Sequence, residues 1–150
     1  MLLNLTWLIP GIPIIASAFI TLLLLSFSKT MNRLTKPVSY FIIISLALSE
    51  IVNFIFFENN ISGKYLLFWD RLELFIDRPA ILFSESIGLI ILLIMFFSVT
   101  KLQRKNGYVR YFISLGFLSG FVYFFSFSGA LFHRLYDPLI LSLDKIENFF

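Results

Sequence analysis

Residues 80–100 read AILFSESIGLIILLIMFFSVT, an apolar run that holds one charged side chain, Glu85. A helix needs about 20 mostly apolar residues, at ~1.5 Å of rise each, to cross the hydrocarbon core of a bilayer. This stretch meets that length. Residues 5–27, 38–57 and 111–132 meet it too, and Glu50 is their single charge. With 59% hydrophobic residues and a mean hydropathy of +0.90, too little polar surface remains to solvate a soluble domain. The fold class expected is an all-α membrane protein of four transmembrane helices.

The 150 residues divide into a four-span bundle over 1–135 and an amphipathic tail over 136–150. That leaves no room for a separate catalytic or cofactor-binding domain. The chain has no cysteine, which excludes disulfides, thiolate nucleophiles, iron–sulfur clusters and Cys-ligated zinc. His133, the sole histidine, cannot build a His-based metal site alone, and neither a G-x-G-x-x-G nor a Walker A loop is present. No catalytic, cofactor-binding or metal-binding residue is therefore assigned, and no cofactor is expected. Ala16-Ser17-Ala18 imitates a signal-peptide cleavage site, but Met1–Trp7 lacks the Lys or Arg of a positive leader, so the first span is expected to be retained. Its Pro10-Gly11-Ile12-Pro13 segment is expected in the first helical turn, where a missing N–H costs little.

Charge orients the spans. The first connection carries Lys29, Arg33 and Lys36, and the third carries Lys101, Arg104, Lys105 and Arg110, with no acid in either. Both are expected on the cytoplasmic side. The second connection mixes Lys64, Arg71 and Arg78 with Glu58, Asp70, Glu73 and Asp77, and the tail mixes Arg134 and Lys145 with Asp137, Asp144 and Glu147. Those segments and the N-terminus are expected outside, in a periplasm or lumen, with the chain in a plasma or thylakoid membrane. The net charge of +3 is then a topology signal, and nucleic acid is not an expected partner.

Glu58 to Arg78 is too long for a simple turn. Asn59, Asn60, Ser62 and Gly63 supply turn chemistry, and the alternation in Lys64–Trp69 and Arg71–Leu74 predicts a small outer β-hairpin. Asp137-Pro138 resembles an N-cap with proline at the first helical position, and Leu139, Leu143, Ile146 and Phe150 fall on one stripe. A short C-terminal interfacial helix and a frayed tail both fit that pattern.

Acids at lipid depth are costly and point to function. Glu50 lies seven residues before Phe57 and Glu85 six residues after Pro79. Each is therefore about 9–10 Å from the outer boundary, at similar depth on antiparallel helices. Facing one another, two carboxyls would hold one proton between them and could exchange it, with Ser49, Asn53, Ser84 and Ser86 as hydrogen-bond partners. The competing reading is a neutral or partner-paired acid in a vestibule or subunit interface. His133 and Arg134 fit a helix C-terminus at a membrane boundary better than a relay. The twenty phenylalanines fit lipid and helix packing better than a quinone surface. Gly116, Ser119, Gly120, Ser126, Ser128 and Gly129 permit close helix approach, and predict a protein partner for the fourth span.

Three segments carry a family resemblance: Trp7-Leu8-Ile9-Pro10, Leu74-Phe75-Ile76-Asp77, and Asn106-Gly107-Tyr108-Val109-Arg110-Tyr111-Phe112 followed by Ser114-Leu115. Their order and spacing resemble the antiporter-like largest membrane subunit of type I NAD(P)H–quinone oxidoreductase, the NuoL/NdhF subunit of the respiratory complex I family. The resemblance covers residues 1–135 and implies family-like positions at Asp77, Gly107, Tyr108 and Arg110. It also implies an outer hairpin between spans two and three. The family's ion path uses a glutamate in a fifth span and lysines in later broken helices. Where that fifth span would open on Trp-Glu, this chain reads Arg134-Leu135-Tyr136-Asp137-Pro138. No channel glutamate carries over to Asp137.

The expected function is a truncated or split antiporter-like membrane subunit of a NAD(P)H–quinone oxidoreductase or a related ion- or bicarbonate-uptake complex. It would be structural, or would support proton translocation, without catalysing alone. Its partners would be other membrane subunits and the lipid bilayer. The alternative is a free-standing four-span interaction or assembly protein without transport activity.

Overall fold

The structure, a computed structural model, describes residues 2–61, 63–67, 72–105, 107–128 and 142–148. A 3-10 turn at Leu2–Leu5 leads into α1 (Leu8–Ser26), followed by the short α2 (Ser28–Arg33) and by α3 (Thr35–Glu58). Strands β1 (Gly63–Leu67) and β2 (Leu72–Ile76) come next, then α4 (Arg78–Lys101) and α5 (Tyr108–Phe127). α1, α3, α4 and α5 are each long and apolar enough to cross a membrane. This is the architecture lipid demands, because a helix satisfies its own backbone polar groups where no water can.

The four long helices pack as a bundle in the cyclic order α1, α3, α4, α5, with α3 and α5 also meeting across the centre. Buried Ile9, Ile42, Leu46, Ile81, Met95, Phe112, Tyr123 and Phe127 fill the interior. Leu22, Leu25, Phe96, Phe97 and Phe121 point outward and are more than half exposed. An apolar exterior around a partly polar interior inverts the soluble pattern and suits a lipid solvent.

Pro13 stands inside α1 and not in its first turn, which corrects the sequence expectation. A proline there cannot donate to the carbonyl four residues back, that of Ile9. The Ser49 hydroxyl of α3 donates to this Ile9 carbonyl, so a side chain from the neighbouring helix replaces the lost backbone donor. The small residues of α5 also serve a contact within the chain. A methyl added at Gly116 would strike Ser17 Oγ, and one at Gly120 would strike Ile14. α5 thus lies close against α1 at Gly116 and Gly120.

Turn chemistry sets the helix ends. α3 closes with Asn60 in the left-handed region at φ 49°. Ile61 N–H donates to the Phe56 carbonyl and Asn60 N–H to that of Phe57, at 3.1 and 3.2 Å. These are the paired bonds of a Schellman end, with Asn in the place glycine usually takes. α4 starts after Asp77 with Pro79 in its first turn, where the missing N–H has no helical partner to lose. β1 and β2 pair antiparallel, from Gly63 opposite Ile76 to Leu67 opposite Leu72. Leu74 and Ile76 are buried, and β2 packs on α5. Residues 142–147 are helical. His133, Arg134, Asp137, Pro138, Leu139 and Phe150 lie outside the described residues.

Candidate functional site

The polar residues of the bundle converge at its centre. Ser45, Ser49 and Asn53 recur every four residues on α3, and all are buried along with Glu50. That spacing places them on the stripe of the helix facing inward. From α4, Ser84 is fully buried and Glu85 half-buried, and Gly88 lies one turn further on. From α5, Tyr123 reaches across the centre.

The carboxyl groups of Glu50 and Glu85 lie against one another, close enough to hydrogen-bond when one carries a proton. Tyr123 donates its hydroxyl to Glu50 Oε1. This contact passes directly over Gly88, where any Cβ would collide with both the carboxylate oxygen and the phenol. The Asn53 side chain reaches the Glu85 carboxyl, and its Nδ2 donates to Ser84 Oγ at 2.9 Å. Ser84 in turn donates to the Ile81 carbonyl at 2.9 Å. Three buried oxygens in this cluster, Glu50 Oε2, Glu85 Oε2 and Asn53 Oδ1, have no hydrogen-bond donor among the described residues. A buried unpaired acceptor costs roughly 1–3 kcal/mol, so the bundle keeps this polar centre at a cost to its stability.

Of the hydrogen-bond partners expected from sequence, Asn53 and Ser84 are at the site. Ser49 and Ser86 are not. Ser49 serves the Ile9 carbonyl, and Ser86 is exposed and donates to the Leu82 carbonyl of its own helix. Tyr123 and Gly88 were not singled out by sequence reasoning. The available signals are a single tyrosine in the aromatic run Phe121–Phe127 and a lone glycine midway along α4.

The family-like residues sit elsewhere. Gly107 takes φ 103° before the first turn of α5, a left-handed conformation that penalises every residue with a Cβ. Tyr108 is buried and packs with its ring tilted against that of Phe112, centroids 4.9 Å apart. Arg110 is exposed at the same end of the bundle. Asp77 precedes α4 at the opposite end. These residues shape helix ends and do not touch the carboxyl pair. Among the described residues, no group of three or more His, Cys, Asp or Glu side chains comes together to hold a metal ion.

A bundle of four membrane-length helices around a paired carboxylate defines a multi-pass membrane protein with an ionisable centre. No family model matches the chain. It is similar to NAD(P)H-quinone oxidoreductase subunit 5, organellar chromatophore 1, of Paulinella chromatophora, with 27% identity over 75% of this chain and 19% of that protein. This distant similarity agrees with the resemblance carried by the three sequence motifs. The chain spans about a fifth of the length of the relative it matches.

Proposed function

We propose that this chain acts as an NdhF-like membrane subunit in a NAD(P)H–quinone oxidoreductase or a related ion- or bicarbonate-uptake complex. It supports proton translocation and does not itself carry out hydride chemistry, which belongs to other subunits. The observation that carries this reading is the apposition of Glu50 and Glu85 at lipid depth. Two carboxyls in one low-dielectric site do not both ionise readily, so the pair retains a proton and can pass it on. Tyr123 supplies a donor to Glu50, and the pair lies nearer the end of the bundle formed by Glu58 and Arg78. That end, with the β1–β2 hairpin, faces the periplasm or lumen together with the N-terminus. The basic end, from Lys29 to Lys36 and from Lys101 to Arg110, faces the cytoplasmic side.

The test is purification of the tagged chain from native membranes in mild detergent, with a native-gel mass and identification of what accompanies it. Co-purification with quinone-oxidoreductase or antiporter-like subunits is expected, together with loss of proton coupling in Glu50→Gln and Glu85→Gln assemblies. Recovery as the chain alone or as a homo-oligomer would overturn the subunit reading in favour of a free-standing interaction protein. Full coupling in both variants would overturn the role of the pair.

A further inference from the structure

The carboxyl pair is not symmetric. Glu50 is only 6% exposed, whereas Glu85 is half-buried and followed by the exposed Ser86. Each carboxyl also has its own donor. Tyr123, a fully buried side chain of α5, gives its hydroxyl to Glu50 Oε1, and the Asn53 side chain of α3 reaches Glu85. Phenol and carboxyl meet in the space that a side chain at Gly88 would fill. Glu50 Oε2 and Glu85 Oε2 are the carboxyl oxygens left without a donor among the described residues. Because the two carboxyls are in hydrogen-bonding contact, one proton held between them serves both.

We infer that Tyr123 is a positioning residue for this proton, holding it on Glu50 and leaving Glu85 as the acid that exchanges protons with the surroundings. Burial decides which acid is neutral, because a carboxylate costs more to bury the more completely it is enclosed. Tyr123 then decides which oxygen carries the proton. By donating to Oε1 it makes that oxygen the carbonyl of a neutral Glu50, and Oε2 becomes the hydroxyl that donates to Glu85. When Glu85 takes up a proton the pair is uncharged, and when Glu85 gives it up the single negative charge stays at the less enclosed position. The surroundings are equally one-sided. Toward the basic end the interior is filled by buried Ile42, Leu46, Ile91 and Met95. Ser45 and Ser119 there give their hydroxyls to the Ile42 and Gly116 carbonyls of their own helices, at 2.7 and 2.8 Å. Toward the end formed by Glu58 and Arg78, a cavity of about 210 Å³, lined in part by Phe56 and Ile81, starts one helical turn beyond Asn53 and Ser84. A water takes up ~30 Å³ of the liquid, so this cavity has room for several. The inference rests on the proton-handling reading of the pair and adds to it an order and a side.

Infrared difference spectra test this, because the C=O stretch of a protonated carboxyl stands apart from the carboxylate bands and rises when its carbonyl loses a hydrogen bond. The sample is the full chain with any subunits that accompany it, wild type against each variant. Glu50→Gln should remove a protonated-carboxyl band that Glu85→Gln retains. Tyr123→Phe should shift that band to higher wavenumber. Gly88→Ala, which keeps the phenol but forces it off the carboxyl, should shift it the same way. The opposite pattern, with the band lost in Glu85→Gln and kept in Glu50→Gln, would overturn the order of the pair. An unshifted band in folded Tyr123→Phe would overturn the role of the hydroxyl. If that variant does not fold, the wild-type band decides, since a position typical of a free carbonyl overturns the role equally. Dicyclohexylcarbodiimide, an apolar reagent for protonated carboxyls, should label Glu85 and spare Glu50 in peptide mass spectra, and preferential labelling of Glu50 would overturn Glu85 as the exchanging acid. Failure of the underlying reading looks different: a wild type with no protonated-carboxyl band removed by either glutamine variant would mean that the pair holds no proton at all.

Discussion

Pro13 and Ser49 act as one unit although 36 residues separate them in the chain. Pro13 frees the Ile9 carbonyl, and Ser49 Oγ–H fills it. Ser49→Ala should therefore leave a buried carbonyl unpaired and destabilise the bundle by about 1–3 kcal/mol. In a Pro13→Ala background the helix regains its own N–H donor, so the same serine change should cost much less. The check is a double-mutant cycle on apparent unfolding free energy in detergent, and additive effects would disprove the coupling. At the polar centre, Gly88→Ala should push Glu50 and Tyr123 apart and cost about 1–3 kcal/mol by overpacking. Tyr123→Phe removes one donor without adding volume, and should cost about as much by stranding Glu50 Oε1. Thermal unfolding of the two variants tests whether Gly88 matters for space and Tyr123 for its hydroxyl.

At the scale of elements, α5 begins where Gly107 can adopt φ 103°. Nothing lies within 4 Å of where its Cβ would be, so Gly107→Ala isolates the backbone term and should cost about 1–2 kcal/mol. Unfolding of that variant measures the cost, and an unchanged midpoint would mean that the turn relaxes. The four spans are legible in the sequence because lipid makes hydropathy nearly sufficient: a long apolar helix has no competing structure in a bilayer. The shared depth of Glu50 and Glu85 is legible too, by counting inward from Phe57 and Pro79. Their facing is not, because helices apolar on every side carry weak periodicity, and only the buried spacing of Ser45, Ser49 and Asn53 marks the inward stripe. The role of Ser49 is not legible because its acceptor is a backbone carbonyl freed by a proline in another helix. α2 is not legible for a related reason, since its six residues Ser28–Arg33 are polar apart from Met31 and resemble a loop in composition.

At the scale of the whole molecule, the arrangement of charge becomes a physical asymmetry. Antiparallel packing brings Lys29, Arg33, Lys36, Lys101, Arg104, Lys105 and Arg110 to one end, all of them exposed. The Ser98–Tyr111 hydrogen bond at 3.0 Å holds α4 to α5 there. The opposite end carries Glu58, Asp77 and Arg78. Since Lys and Arg in short connections resist translocation, the basic end should stay on the cytoplasmic side. The lack of cysteine makes this directly measurable, because one introduced thiol is a unique label. Asn59→Cys should react with a membrane-impermeant maleimide in right-side-out vesicles, and Lys105→Cys only after permeabilisation. The reverse pattern would move the Glu50–Glu85 pair toward the cytoplasmic face and would sink the proposal that it takes up or releases protons on the outer side. Labelling of both sites from both sides would mean dual insertion. A second measurement then decides: moving Lys105 and Arg104 to the Asn59–Asn60 turn should invert the population if loop charge alone sets the orientation.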